Sequence, residues 1–137
     1  ISNGATTYYE HETGNDQVLT DGTTTAIPAQ IESGDFDIDQ GGDGEFMMRI
    51  ARFIPDFKNQ VGDAQVTIFL RDFPSDTRSS SASGPLITGP FTVTTSTKQV
   101  FCRSRGRAAS FKIANTGTGQ TWRFGTFRAD VQVGGRR

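Results

Sequence analysis

Apolar and polar residues alternate along several short stretches of this 137-residue chain. A period of two places successive side chains on opposite faces of a strand, so these stretches are predicted to be half-buried β-strands. Gly, Thr, Ser and Asp interrupt every stretch that is long enough to show a helical period, which argues against helices. The predicted core set takes alternate residues from three strands: Phe46, Met48, Ile50, Val66, Ile68, Leu70, Phe111 and Ile113.

About eight strands are predicted in all, separated by turns rich in Gly, Ser, Asn and Asp. The strands cover residues 26–31, 35–38, 45–53, 65–71, 91–94, 100–105, 108–114 and 121–133. Many short strands at near-regular spacing are typical of an antiparallel β-sandwich, here predicted to be jelly-roll-like. We assign residues 15–137 to this sandwich domain, and residues 1–14 to an N-terminal segment that comes from or leads toward a neighbouring domain.

The predicted strand at 121–133 contains a change of phase. Trp122 and Phe124 lie on one face, whereas strict alternation places Phe127 and Val131 on the other. A bulge at Gly125 would return all four side chains to one buried face.

The net charge of −1 conceals a separation of charge along the chain. Residues 1–44 carry nine acidic and no basic residues, whereas residues 45–137 carry 14 basic and six acidic residues. Such a separation favours pairing of the two parts, within one subunit or between subunits.

Two rows of charged residues are the candidates for these contacts, because residues at alternate positions share one strand face. The rows are Asp35, Asp37 and Asp39, and Arg103, Arg105 and Arg107. The arginine row has three interpretations that the sequence leaves open: pairing with carboxylates, a solvated face, and contact with phosphate groups of DNA.

A calcium site is a weaker candidate for the acidic segment, with Asp35, Asp37, Asp39 and Asp43 as ligands. The spacing is not that of an EF-hand, since Gln40 stands at the sixth position, where that loop needs glycine. A simpler interpretation is a strand with its aspartates on the exposed face.

Catalytic and cofactor signatures are missing from the sequence. His11 is the sole histidine and lies between two glutamates without a nucleophile in a recognisable context. Cys102 is the sole cysteine, which excludes an intramolecular disulfide. We therefore predict a protein that is not an enzyme and has no cofactor. No apolar run approaches the ~20 residues that a membrane-spanning helix needs.

Two C-terminal segments, Trp122-Arg-Phe-Gly-Thr-Phe-Arg-Ala-Asp130 and Gly134-Gly-Arg-Arg137, resemble the C-terminal end of tail nozzle proteins of short-tailed bacteriophages, also called stabilisation or tail tubular proteins. Tyr8-Tyr-Glu-His-Glu-Thr-Gly14 and Glu32-Ser-Gly-Asp-Phe-Asp-Ile38 add to the resemblance. Members of that family are several times longer, so the chain would correspond to a C-terminal domain or to a separate protein built from it.

The resemblance implies a structural virion protein of the tail, assembled in the host cytoplasm. It implies a homohexameric ring that follows the portal and adaptor, meets other tail proteins such as the fibre or needle, and retains packaged DNA and conducts it at ejection. The alternative is a carbohydrate- or receptor-binding β-sandwich module, in which Trp122, Tyr8 and Tyr9 would stack on sugar rings. Trp122 otherwise belongs to the core.

Overall fold

The computed structural model describes residues 14–38, 46–73 and 86–136, and none of these residues is helical. Every paired strand is antiparallel, which confirms the predicted all-β, sandwich-like class. The eleven strands are β1 (Asp16–Val18), β2 (Thr24–Ala26), β3 (Gln30–Glu32), β4 (Phe46–Ile54), β5 (Phe57–Val61), β6 (Ala64–Arg71), β7 (Leu86–Val93), β8 (Val100–Gly106), β9 (Ala108–Asn115), β10 (Thr121–Phe124) and β11 (Arg128–Arg136).

The strands form two main sheets and two small ones. The larger main sheet has the order β3-β9-β6-β7, and the smaller has the order β11-β4-β8. The small sheets are β1-β2 and β10-β5. Within the described part of the chain there is no helix long and apolar enough to cross a membrane.

Strand β6 shows how the alternating pattern builds the core. Ala64, Val66, Ile68 and Leu70 are at most 1% exposed, while the residues between them are half-buried. β6 is a central strand of its sheet, so its apolar face meets side chains of the opposite sheet. Full burial of one such side chain contributes about 1.5–3 kcal/mol. Six of the eight predicted core residues are buried, and the other two, Phe46 and Phe111, are half-buried.

Strand β4 changes the face that it buries partway along its length. From Ile50 to Arg52, β4 advances two residues while its neighbour β11 advances one and its other neighbour β8 advances three. This irregularity leaves Ile50 on the core side and brings Phe53 to the same side, although strict alternation would place two residues three positions apart on opposite faces. Both side chains are 0% exposed.

The predicted continuous strand at 121–133 is wrong, because the structure divides it into β10 and β11. β10 pairs with β5, and β11 pairs with β4 in a different sheet. At the break, the Gly125 N–H donates to the Asp56 carbonyl at 2.8 Å. A Cβ atom on residue 125 would lie 2.5 Å from Asp56 Oδ2 and 3.2 Å from the Asp56 carbonyl oxygen, so a larger residue here would displace the Asp56 carboxylate.

Further differences concern the shorter elements. The predicted turn at 56–63 contains β5, and the predicted strand at 35–38 is reduced to one bridge between Phe36 and Ala109. Residues 26–31 contribute to two strands, β2 and β3. The N-terminal segment up to residue 13, and the candidate residues Asp39 and Asp43, lie outside the described residues.

A continuous series of aromatic contacts crosses the core. Phe127 stacks on Phe111 with ring centroids 4.1 Å apart and on Phe53 at 5.5 Å. Among the described residues, the series runs Phe91, Phe53, Phe127, Phe111, Phe124, Phe57 and Trp122. The series joins side chains of both main sheets and of the β10-β5 pair, so it packs the three together.

Candidate functional site

The outer surface of the three-stranded sheet carries a group of exposed arginines. Arg49 on β4 stands directly opposite Arg105 on β8, and Arg103 follows on the same face of β8. Adjacent strands lie about 4.8 Å apart and alternate residues of a strand about 6.8 Å apart, so the three side chains start within one small patch. We call this surface, together with the exposed Phe101 and Ile54 beside it, the arginine face.

The backbone of β8 fixes the direction of these side chains. Arg103 has a φ of 49°, in the left-handed region that few residues other than glycine adopt, and it lies where β8 carries extra residues relative to β4. Its neighbours Cys102 and Ser104 are buried on the opposite side. The Cys102 thiol donates to the Ile50 carbonyl at 3.5 Å, and burial raises the pKa of this thiol. Arg103 and Arg105 therefore stand on a strand whose other face is anchored in the core.

Electrostatic compensation on the arginine face is incomplete. Arg52 pairs with Asp130 at 3.5 Å between Nε and Oδ2, and it also donates to Gln99. For Arg49, Arg103 and Arg105, no carboxylate of the described residues lies within 4 Å. Like charges directly opposite each other destabilise a sheet, so this arrangement favours an anionic partner.

Like-charge pairing alone does not single out this surface. Lys58 stands opposite Arg123 on the β10-β5 pair, and both are exposed. The arginine face differs because it has a third arginine and an aromatic side chain. Phe101 is 64% exposed and stands opposite Arg52, and Ile54 on the same face is 41% exposed. Arg and aromatic residues are the types that protein interfaces favour.

The predicted aspartate and arginine rows occupy different places in the fold. Asp35 pairs with Arg71, with 3.1 Å between Oδ2 and Nη1, and both side chains are partly buried. The backbone N–H of Arg107 donates to the carbonyl of Arg71 at 2.8 Å, so Arg107 lies at the same end of β6. Arg103 and Arg105 lie on the other main sheet. The sequence did not single out Arg71, although its position at the end of an alternating strand places it on the outer face.

Asp37 is half-buried in the segment after the Phe36 bridge. The calcium prediction stays untested, because only Asp35 and Asp37 of its four ligands lie in the described part. Within that part, no group of three or more His, Cys, Asp or Glu side chains is arranged to hold a metal ion.

An open groove of about 310 Å³ lies beside Trp122, between Ile27, Ala29 and the loop after β9. Two of the side-chain amides at the groove form hydrogen bonds with the backbone. Asn115 accepts from the Ala29 N–H at 2.7 Å and donates to the Ile27 carbonyl at 2.8 Å. Gln120 Oε1 accepts two backbone N–H groups of the loop at 2.7 and 2.9 Å. Trp122 is half-buried and packs against Phe57 in an edge-to-face contact.

The β1-β2 hairpin forms a separate acidic and apolar surface. Asp16 accepts from the Gly119 N–H at 2.7 Å, which fastens the base of the hairpin to the loop after β9. Near the turn, Val18 is 58% exposed and Leu19 is 39% exposed. Asp21 Oδ1 accepts from the Thr23 N–H at 2.8 Å, and this hydrogen bond lowers the pKa of Asp21.

Comparison of the sequence with models of known protein families finds no match, and no curated protein matches it significantly.

Proposed function

We propose that this protein is a structural, non-enzymatic component of a bacteriophage tail, of the nozzle or stabilisation type, which acts through contacts between subunits. The observation that carries the proposal is the arginine face. Three exposed arginines without a carboxylate neighbour among the described residues stand beside an exposed phenylalanine, on a chain whose first 44 residues hold nine acidic and no basic residues. A surface of this composition is suited to bind an acidic protein surface.

The location of the motif that resembles tail nozzle proteins also supports a structural role. Residues 122–130 form β10, the break at Gly125 and the start of β11. Phe127 of this motif stacks on two other rings of the core. The motif therefore packs two sheets together, and its side chains serve the architecture of the domain.

In this proposal the copies form a ring in the virion, other tail proteins bind to the ring, and packaged DNA passes along it. These properties follow from the resemblance. The contacts that hold the ring are expected to be partly electrostatic, so added salt should weaken them.

The test is the state of association of the purified 137-residue chain. Sedimentation velocity and native mass spectrometry should show one discrete assembly, and negative-stain electron microscopy should show rings. The assembly should shift toward single copies as salt is raised. A protein that stays a single copy at every concentration up to its solubility limit would contradict the proposal.

A second candidate function is sugar binding at the groove beside Trp122. The observation in its favour is an open cavity with an aromatic wall. The Asn115 amide and Gln120 Oε1 already form hydrogen bonds with the backbone, so fewer side-chain groups remain to bind sugar hydroxyls. A glycan array separates the two functions: sugar binding that is lost in Trp122→Ala and kept in Trp122→Phe would favour the binding module.

A further inference from the structure

Where the structure describes the chain, the β1-β2 hairpin is not part of a larger sheet. Among the described strands, β1 and β2 pair only with each other. An isolated two-stranded hairpin is marginally stable in water, so such an element usually needs a surface to pack on. Its base is tied to Gly119 through Asp16, but Val18 and Leu19 near its turn stay exposed. The hairpin therefore presents apolar side chains that are exposed in the part of the chain that the structure describes.

The hairpin and the arginine face are complementary in charge and in polarity. The hairpin carries Asp16 and Asp21 and, like all of residues 1–44, no lysine or arginine. The arginine face carries three arginines and, in Phe101 and Ile54, two exposed apolar side chains. Each surface thus combines exposed apolar side chains with charge, and the charges of the two surfaces are opposite in sign.

Resting on the function proposed above, we propose that the β1-β2 hairpin of one copy docks on the arginine face of the next copy. Val18 and Leu19 would cover Phe101 and Ile54, and Asp21 would lie near the arginines. The occupant comes from a second copy because, among the described residues of one chain, both surfaces remain exposed. Apolar contact at this site would exclude water from the neighbouring charge pair and strengthen it.

The geometry of this contact determines the kind of assembly. Donor and acceptor are different surfaces of the chain, so the interface is heterologous. Each copy uses its hairpin on one neighbour and its arginine face on the other. Repetition of such a contact produces a closed ring when the rotation between copies closes, and an open filament when it does not.

The first experiment measures self-association of the full chain by sedimentation equilibrium. The face variant is Arg49→Glu/Arg105→Glu, and its control is Lys58→Glu/Arg123→Glu, which makes the same change of charge at the other cross-strand pair. Turning two weak attractions into repulsions should raise the dissociation constant about 10- to 100-fold in the face variant. The control should stay within about threefold of the wild type. Equal effects in both variants would overturn the proposal, since they would report net charge alone.

The hairpin is tested in the same way with Val18→Ser/Leu19→Ser. Its control is Val61→Ser, which changes a side chain that is 53% exposed at the end of β5. The hairpin variant should weaken association to a similar extent, and the control should not. Circular dichroism of each variant should retain the β-sheet spectrum, because all the changed side chains are exposed.

Mixing the two variants is the decisive step. The face variant still has an intact hairpin, and the hairpin variant still has an intact arginine face, so together they can form one good contact. The mixture should give 1:1 dimers, while each variant alone stays a single copy and the wild type forms larger assemblies. Failure to form dimers from the mixture would overturn the proposal.

The outcomes separate this inference from the proposed function. A wild type that does not associate contradicts the proposed function, and with it this interface. A wild type that associates normally, together with face and hairpin variants that associate equally well, overturns only the interface. A face variant that keeps its assembly but loses binding of a single-stranded oligonucleotide in fluorescence anisotropy would assign the arginine face to nucleic acid and also overturn the interface.

Discussion

Replacement of Phe127 by alanine would remove the ring at the centre of the aromatic series. Phe127 stacks on Phe111 at 4.1 Å with 11° between the ring planes, and on Phe53 at 5.5 Å with 23°. Loss of a buried phenylalanine side chain costs about 3–5 kcal/mol, and each aromatic pair contributes about 0.5–1.5 kcal/mol of such a total. Phe127 is half-buried, so we expect a loss near the lower limit, about 3 kcal/mol of the free energy of unfolding.

The measurement is urea denaturation followed by far-ultraviolet circular dichroism, with Trp122 fluorescence as a second probe. A double-mutant cycle with Phe111→Ala should give a coupling free energy of about 0.5–1.5 kcal/mol, because the two rings are in direct contact. The control is Phe101→Ala, a change at a ring that is 64% exposed, and it should cost less than about 0.5 kcal/mol when measured on dilute protein. A cost below about 1 kcal/mol for Phe127→Ala, or no coupling to Phe111, would refute this account of the core.

Other predictions concern stability and the thiol. Ile68→Ala should lower the free energy of unfolding by about 2–5 kcal/mol in urea denaturation, whereas Ile54→Ala, at a partly exposed position, should cost less than about 1 kcal/mol. Gly106→Ala should cost about 1–3 kcal/mol in the same assay, since the new Cβ atom would lie 3.0 Å from Leu70 Cβ. The pKa of Cys102 is raised by burial, so the folded state holds this proton more tightly than the unfolded state. The contribution of this thiol to the free energy of unfolding is therefore fully present below the ordinary pKa of a thiol and is lost as the pH rises through the raised pKa. Denaturation curves measured over a pH series should lose this pH dependence in Cys102→Ala. The thiol should also resist a colorimetric thiol reagent until urea unfolds the chain.

Strands in the centre of a sheet could be predicted from the sequence, because burial of one face forces a simple alternation. β6 is the best example: Val66, Ile68 and Leu70 are buried as the pattern indicates. The irregularity of β4 could not be predicted in this way. The shift of register between Ile50 and Arg52 arises from the unequal advance of the two neighbouring strands, β8 and β11. These neighbours come from distant parts of the chain.

The break between β10 and β11 could not be predicted from the sequence for a related reason. Gly125 does mark a change of phase, from which the sequence predicts a bulge. A bulge and a change of sheet leave the same local pattern, and the choice between them depends on the contact of Gly125 with Asp56. β5 was missed because its five residues, three of them polar or charged, show no sustained apolar alternation.

The sequence predicts only part of the candidate site. Alternation indicated that Arg103 and Arg105 share a face, and they do. The addition of Arg49 to this group depends on the register between β4 and β8, and the pairing of Asp35 with Arg71 depends on the packing of the segment before β4 against the end of β6. Neither relation leaves a local signal, since each joins residues more than 30 positions apart.

The junction at Arg107 has a consequence for how the molecule unfolds. β8 ends at Gly106 in the three-stranded sheet, β9 begins at Ala108 in the four-stranded sheet, and the Arg107 N–H is bonded to Arg71 of β6. With one residue between them, neither sheet can open without pulling on the other. Hydrogen exchange of the central amides of β8 and β9 should therefore occur through one shared opening, with nearly equal free energies. A flexible insertion after Arg107 should separate these free energies, as the two layers become independent units of stability.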